Sequence, residues 1–215
     1  MRILSLFLMA GVAWAQTLDV SKLELRNVVA EPTVYRGSKA VKLTETPGNQ
    51  KESIAIVKGV TLGDGSLEVE MAGAPAKGTN EGARGFIGLA FHVQADASHY
   101  ETIYLRPTNG RADDQLRRNH STQYISVPDW PWEKLRQETP GVYESYVDLQ
   151  PGEWTKVRIV VKGRDASLYV GGANQPCLLV HDLKLGAKEG GVALWIGPGT
   201  EGYFRNLKIS AGPGK

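Results

Sequence analysis

The chain is written in short alternating runs. Leu23 and Leu25 flank Glu24, while Leu67, Val69 and Met71 are separated by Glu68 and Glu70. An apolar residue at every second position lands on one face of an extended strand, so these runs predict sheet with one buried and one wet side. Turn residues punctuate them. Val34-Tyr35 and Ala40–Leu43 flank Arg36-Gly37-Ser38 as a hairpin, Gly63-Asp64-Gly65 leads into Ser66–Met71, and Gly163-Arg164-Asp165 joins Trp154–Lys162 to Ala166–Val170. Cys177–Val180, Gly191–Ile196 and Tyr203–Ile209 follow in the same style. Gly85–Val93 is apolar on both faces and predicts a central strand. In His99–Arg106, period two points Tyr100, Thr102, Tyr104 and Arg106 one way and Glu101, Ile103 and Leu105 the other. About a dozen short strands with scarcely any helix predict an all-β fold, an antiparallel β-sandwich or jelly roll.

The rhythm breaks between Tyr104 and Asp148. This stretch gathers Trp130, Trp132, His120, Arg106, Arg111, Arg117, Arg118, Arg136, Tyr124, Tyr143 and Tyr146. Within it, Gln123–Val127 predicts a strand. Asp129–Arg136 predicts one short helix with proline in its first turn. Tyr143–Leu149 predicts another strand, with Tyr143, Ser145 and Val147 opposed to Glu144, Tyr146 and Asp148. Long segments without alternation inside a compact domain are commonly functional.

Composition narrows the classes. Residues 1–15 have the form of a secretory leader: Arg2, the apolar run Ile3–Met9 and the small-residue site Ala13-Trp14-Ala15. An exported protein, periplasmic or extracellular, is therefore expected, with residues 16–210 as one domain and 211–215 as a flexible tail. That run is too short to span a bilayer. Of 25 basic and 23 acidic residues the leader holds only Arg2, so 24 against 23 remain, about +1. A balance so near neutral predicts no general affinity for nucleic acid or membrane. Cys177 is the lone cysteine and sits in an apolar run, which reads as a buried structural thiol.

The second half resembles a known architecture. Gly152–Val161 (GEWTKVRIVV), Ala166–Val170 (ASLYV), Gly190–Trp195 (GGVALW) and Gly199–Ile209 (GTEGYFRNLKI) are similar to the closing strands of the concanavalin A-like lectin/glucanase superfamily, and Gly85–Arg106 resembles its central pair. Nearest are the bacterial 3-keto-disaccharide hydrolase-like and laminin G-like sandwiches. The resemblance covers most of residues 20–210, but its motifs belong to the scaffold and imply fold more than activity. The E-x-D-x-x-E strand of laminarinase-like members is missing; Glu68-Val69-Glu70 has only two acids. Where the keto-disaccharide hydrolases usually carry an N-S-G-type motif, this chain has Gly88-Leu89-Ala90-Phe91, so no catalytic residue is carried over.

Several side chains suit sugar chemistry. Trp130, Trp132, Tyr104 and Tyr124 offer ring faces for C–H groups. The planar forks of Arg106 and Arg118, with Asn119, offer hydrogen bonds to hydroxyls or a carboxylate. His120 is a candidate base. Glu101 and Glu144 are candidate acid/base partners if they face each other across a concave sheet, in which case their separation would indicate inverting or retaining chemistry. His92, His99 and His181 have no zinc-like spacing. Asp96, Asn109, Asp113 and Asp114 are the oxygens a structural calcium, which the superfamily sometimes carries, would draw on. They form no fixed ligand loop, and no metal or cofactor is expected. The leading expectation is a carbohydrate-binding sandwich whose ligand lies on the concave sheet face and the 106–146 loop. A glycoside hydrolase or lyase of 3-keto-glycoside type and a non-catalytic adhesion or protein-interaction module are the alternatives.

Overall fold

The computed structural model describes residues 13–15, 18–49 and 53–212. Two antiparallel sheets face each other. The first contains β3 (Val28–Tyr35), β4 (Ser38–Glu45), β6 (Gly65–Pro75), β11 (Thr155–Lys162), β12 (Asp165–Val170), β13 (Leu178–Val180) and β15 (Thr200–Ala211), in the order β13-β12-β11-β6-β15-β4-β3. A three-residue strand, β1 (Ala13–Ala15), lies beside the last part of β15. The second sheet contains β2 (Leu23–Arg26), β5 (Ser53–Leu62), β7 (Ile87–Val93), β8 (Tyr100–Leu105), β9 (Thr122–Val127), β10 (Glu144–Ser145) and β14 (Gly190–Ile196), in the order β10-β9-β8-β7-β14-β5-β2. The expected all-β sandwich is what forms. Of the predicted leader, residues 1–12 lie outside the described residues. Ala211, expected in the tail, is the last residue of β15 and pairs with Gly65.

Alternation explains the layers. Leu67, Val69 and Met71 of β6 and Val157, Ile159 and Val161 of β11 are buried between the sheets, with half-buried or exposed neighbours between them. Opposite them, Ile87, Leu89, Phe91, Ile103, Leu105, Leu194 and Ile196 fill the other inner face. Each fully buried side chain of this size contributes roughly 1.5–3 kcal/mol. β7 and β8 are buried on both faces, as central strands should be. The β3–β4 hairpin turns on Arg36 and Gly37, both at positive φ (48° and 74°), the geometry of a two-residue turn that follows strand twist.

Gly88 explains a feature of the second sheet's outer face. It pairs with Trp195 on β14 and with Tyr104 on β8, and the two rings meet across it at 4.7 Å between centroids. A methyl group at Gly88 would stand 2.4 Å from the Ile103 carbonyl oxygen and 2.6 Å from Tyr104 Cβ, so only glycine fits.

The 106–149 excursion is a closed lobe. At its neck Gly110 packs on Leu149, where a Cβ would come within 2.4 Å of the Leu149 nitrogen, and Arg111 holds Asp148 through two hydrogen bonds of 2.8 and 2.9 Å. It contains two α-helices where one was expected: α1 (Gln115–Asn119), capped by Asp114, and α2 (Trp132–Glu138), starting after Pro131 rather than at Asp129. Trp132, Leu135 and Arg136 share one side of α2, at helical spacing, and Leu135 is buried. The strand predicted over Tyr143–Leu149 is formed only at Glu144–Ser145.

Candidate functional site

Ladder register decides which candidates meet. Tyr104 pairs with Gln123, and Gln123 pairs with Glu144, so all three project from the outer face of the second sheet. Arg106 follows β8 onto this face. Its Nη1 donates to the Glu144 carboxylate and to the His120 carbonyl, both at 3.1 Å, and its Nη2 donates to the Tyr104 hydroxyl and the Gln123 amide oxygen, both at 3.0 Å. Arg136 holds Glu144 from α2, with Nε 3.0 Å from Oε2 and Nη2 bonded to Oε1. His120, the residue that ends α1, places Nε2 3.4 Å from Glu144. Its carbonyl also accepts from Asn109 at 3.1 Å, so the backbone beneath the imidazole is pinned twice.

The electrostatics follow from these contacts. Burial alone would raise the Glu144 pKa, but the Arg136 hydrogen bonds and the charges of Arg106 and Arg136 outweigh it and hold the carboxyl below its ordinary 4.5. Burial lowers His120 from its ordinary 6.5; Glu144 opposes that, while Arg136 and Arg106 reinforce it. The site therefore pairs an ionised carboxylate with an imidazole that is neutral at pH 7.

Two rings border this pair. Trp132 lies over both guanidinium groups, 4.5 Å from Arg136 and 5.6 Å from Arg106, yet is 37% exposed. Tyr146, two residues beyond Glu144, is 41% exposed and lies 5.2 Å from Arg118, whose Nη2 donates to its hydroxyl at 3.1 Å. Arg118 in turn sits two residues before His120. A cation held against an aromatic face contributes about 0.5–2 kcal/mol and fixes the ring's orientation.

His120, Arg106, Glu144, Trp132 and Tyr104 are thus brought together, with Arg118 at the rim. Arg106 is spent on protein acceptors and Tyr104 is buried, so both position the site rather than face solvent. Asn119 is exposed on α1 and accepts from Gln115 at 2.7 Å. Three candidates need correction. Glu101 opposes Ser126 and projects inward, on the other face of the sheet from Glu144, so the acid/base pair does not exist. It is fully buried, 2.7 Å from His92 Nδ1, and accepts from the Tyr124 hydroxyl at 2.7 Å and the Leu185 amide at 3.1 Å. Tyr124 is enclosed beside it and also accepts from the Lys184 amide at 2.8 Å. Both belong to the core and tie the 181–189 loop to it. Trp130 pairs with Ser126 on the sheet edge, its ring between Lys134 at 3.9 Å and Lys184 at 4.6 Å, so it braces that edge.

Sequence reading did not single out Arg136 or Tyr146 as site residues. Arg136 was traceable as the i+4 neighbour of Trp132 on the predicted helix. Tyr146 shares the predicted face of Glu144. Cys177 is half-buried, with burial pushing its thiol up to about 11. No cluster of three or more His, Cys, Asp or Glu side chains suited to a metal occurs among the described residues. Of the calcium candidates, Asp96 closes its own turn on Ser98, Asp114 caps α1 and Asn109 binds the His120 carbonyl. None of the helices among the described residues is long and apolar enough to cross a membrane. A separate open groove of about 970 Å³ crosses the first sheet near Val34, Lys39 and Asn206; of its three acids, Asp19, Glu68 and Glu70, the first accepts from the Ser21 amide and the last is taken up by Arg205 and Asn206. The Glu144 cluster is the candidate on chemical grounds, since it joins a neutral base, a fixed anion and exposed rings.

Solved structures share this architecture. The carbohydrate binding module CBM66 from Bacillus subtilis aligns with a TM-score of 0.60 at 12% identity, covering 87% of this chain and 94% of its own. The exoplasmic/lumenal domain of VIP36, in a Ca2+/Man3GlcNAc-bound form, aligns with a TM-score of 0.56 at 12% identity, over 92% and 86%. A protein of unknown function with a galectin-like fold from Bacillus subtilis aligns at 0.54 and 10% identity, over 89% and 90%. No protein-family model and no curated protein matches the chain. These likenesses show the fold, a two-sheet antiparallel β-sandwich of galectin-like kind.

Proposed function

We propose that this is an exported carbohydrate-binding protein whose ligand contacts Trp132, Tyr146 and His120 on the excursion. The observation that carries this reading is the pair of exposed rings, each backed by an arginine, in the lobe that holds a fixed imidazole–carboxylate pair. Ring faces offer apolar planes to sugar C–H groups while the imidazole serves hydroxyls. Two of the structural neighbours, CBM66 and the VIP36 domain, are described as carbohydrate-binding or glycan-bound, which supports the choice of ligand class. Export rests on the leader pattern of residues 1–15.

Calorimetric titration against a broad glycan panel tests it. A sugar ligand should be found, and Trp132→Ala and Tyr146→Ala should each weaken it about tenfold, as loss of a stacking contact of roughly 1.4 kcal/mol requires. Folded protein silent across the panel, or binding untouched by both variants, overturns it.

The His120–Glu144 contact favours one further reading, a glycoside-cleaving enzyme with His120 as base and Glu144 orienting it. With Glu101 inside the core, Glu101 and Glu144 do not form the two-carboxylate arrangement of common glycosidases. Turnover of 3-keto or chromogenic glycosides that disappears in His120→Ala would establish this reading.

A further inference from the structure

We infer that the saccharide taken by this site carries an anionic group, a carboxylate or a sulfate, read by Arg84, Arg117 and Arg118. The inference rests on the carbohydrate reading above and adds the class of sugar to it.

The acids around the site are mostly engaged, by Arg106, Arg136 and Arg111 among others, while three further arginines form no salt bridge among the described residues. Glu144 is held by Arg106 and Arg136, Asp148 by Arg111, and Asp114 by the backbone amide of Arg117. Arg84 donates to the carbonyls of Glu81 and Ala83 and Arg118 to the Tyr146 hydroxyl, and the Arg117 side chain has no hydrogen-bond partner among the described residues. None of these three forms a salt bridge among the described residues; Glu81 opposes the charge of Arg84, and Asp148 that of Arg118, without salt-bridge contact.

Backbone contacts bring the segments that carry the three beside His120. The Arg84 carbonyl accepts from the Thr108 amide at 3.3 Å, and the next residue, Asn109, binds the His120 carbonyl. Arg117 and Arg118 lie in the turn of α1 that ends on His120. Burial, and then the charges of Arg117 and Arg106, lower Arg84 from its ordinary 12.5. Gathering like charges with no acid in salt-bridge contact costs free energy that an anionic ligand returns, and a guanidinium fork matches a carboxylate or sulfate with two parallel hydrogen bonds. The chain as a whole is almost neutral, so the cluster is not a by-product of a basic composition.

Matched polymers test it by titration: polygalacturonate against its methyl ester, and heparin against its desulfated form, with arabinan as a neutral reference. One charged polymer should bind at least tenfold tighter than its partner, and which pair responds distinguishes carboxylate from sulfate. Arg117→Glu, at an exposed position, should weaken that polymer at least tenfold with an unchanged unfolding midpoint; Arg84→Gln should act in the same direction. Trp132→Ala should weaken it too. If charged and uncharged partners bind equally and Trp132→Ala weakens both, the anionic group is refuted while carbohydrate binding stands. If the charged polymers bind but neither Trp132→Ala nor Tyr146→Ala matters and a short DNA duplex competes equally, the surface attracts polyanions at large and the inference fails. If no polymer or glycan binds, it falls together with the carbohydrate reading.

Discussion

Glu144 stands 3.4 Å from His120 Nε2 and is the immobile member of that pair, because Arg106 and Arg136 hold its oxygens from β8 and α2. The imidazole is correspondingly oriented by a group that does not itself need to move.

Acid should destabilise the protein in two stages. The folded pKa of His120 lies below 6.5, so the unfolded chain takes up that proton first and stability falls as pH drops from about 6.5 towards the folded pKa. Glu144 lies below 4.5, and a second loss follows on descent from about 4.5. Urea midpoints measured from about pH 7 to about pH 5 should decline in the wild type and flatten in His120→Gln. Equal declines would show that His120 carries no such linkage.

Glu144→Ala leaves Arg106 buried without its carboxylate and removes the acceptor of Arg136. Breaking a buried pair from one side costs about 3–5 kcal/mol. Chemical denaturation should show a loss in this range, and one below about 1 kcal/mol would mean the two arginines find other partners.

Glu101→Ala tests the interior cluster. It deprives His92, the Tyr124 hydroxyl and the Leu185 amide of one shared acceptor. Each unsatisfied buried group costs about 1–3 kcal/mol. Hydrogen exchange should show lost protection at Leu185, while Glu101→Gln, which keeps an acceptor oxygen, should lose less. An unaltered exchange rate in Glu101→Ala would contradict the anchoring role.

Gly88→Ala should destabilise by about 1–3 kcal/mol or more, since the methyl meets backbone on the neighbouring strand. It should also separate Tyr104 from Trp195, altering the near-ultraviolet circular dichroism. An unchanged spectrum and midpoint would show that the strands can shift apart freely.

The sandwich was legible because its information is local. Leu67, Val69 and Met71 declare a buried face by alternation, and the double-sided run Ile87–Val93 declares a central strand. Strand parity even separated Glu101 from Tyr104 and Arg106. What it could not supply was register between strands, which puts Glu144 beside Gln123 and leaves Glu101 on the reverse face. α1 was missed because five residues give too little periodicity to detect. Trp130 and Trp132 are two positions apart, yet one braces an edge and the other overlies two guanidiniums. A reversing chain at Ser126–Trp130 makes that difference, and composition does not encode it.

The four Nη contacts of Arg106 join β8, β9, β10 and the end of α1 without help from any guest. Such a rivet sets the shape of the proposed docking surface before encounter. Little ordering entropy then remains to be lost on complex formation, so free and occupied forms should superimpose closely and association should proceed as a rigid-body event.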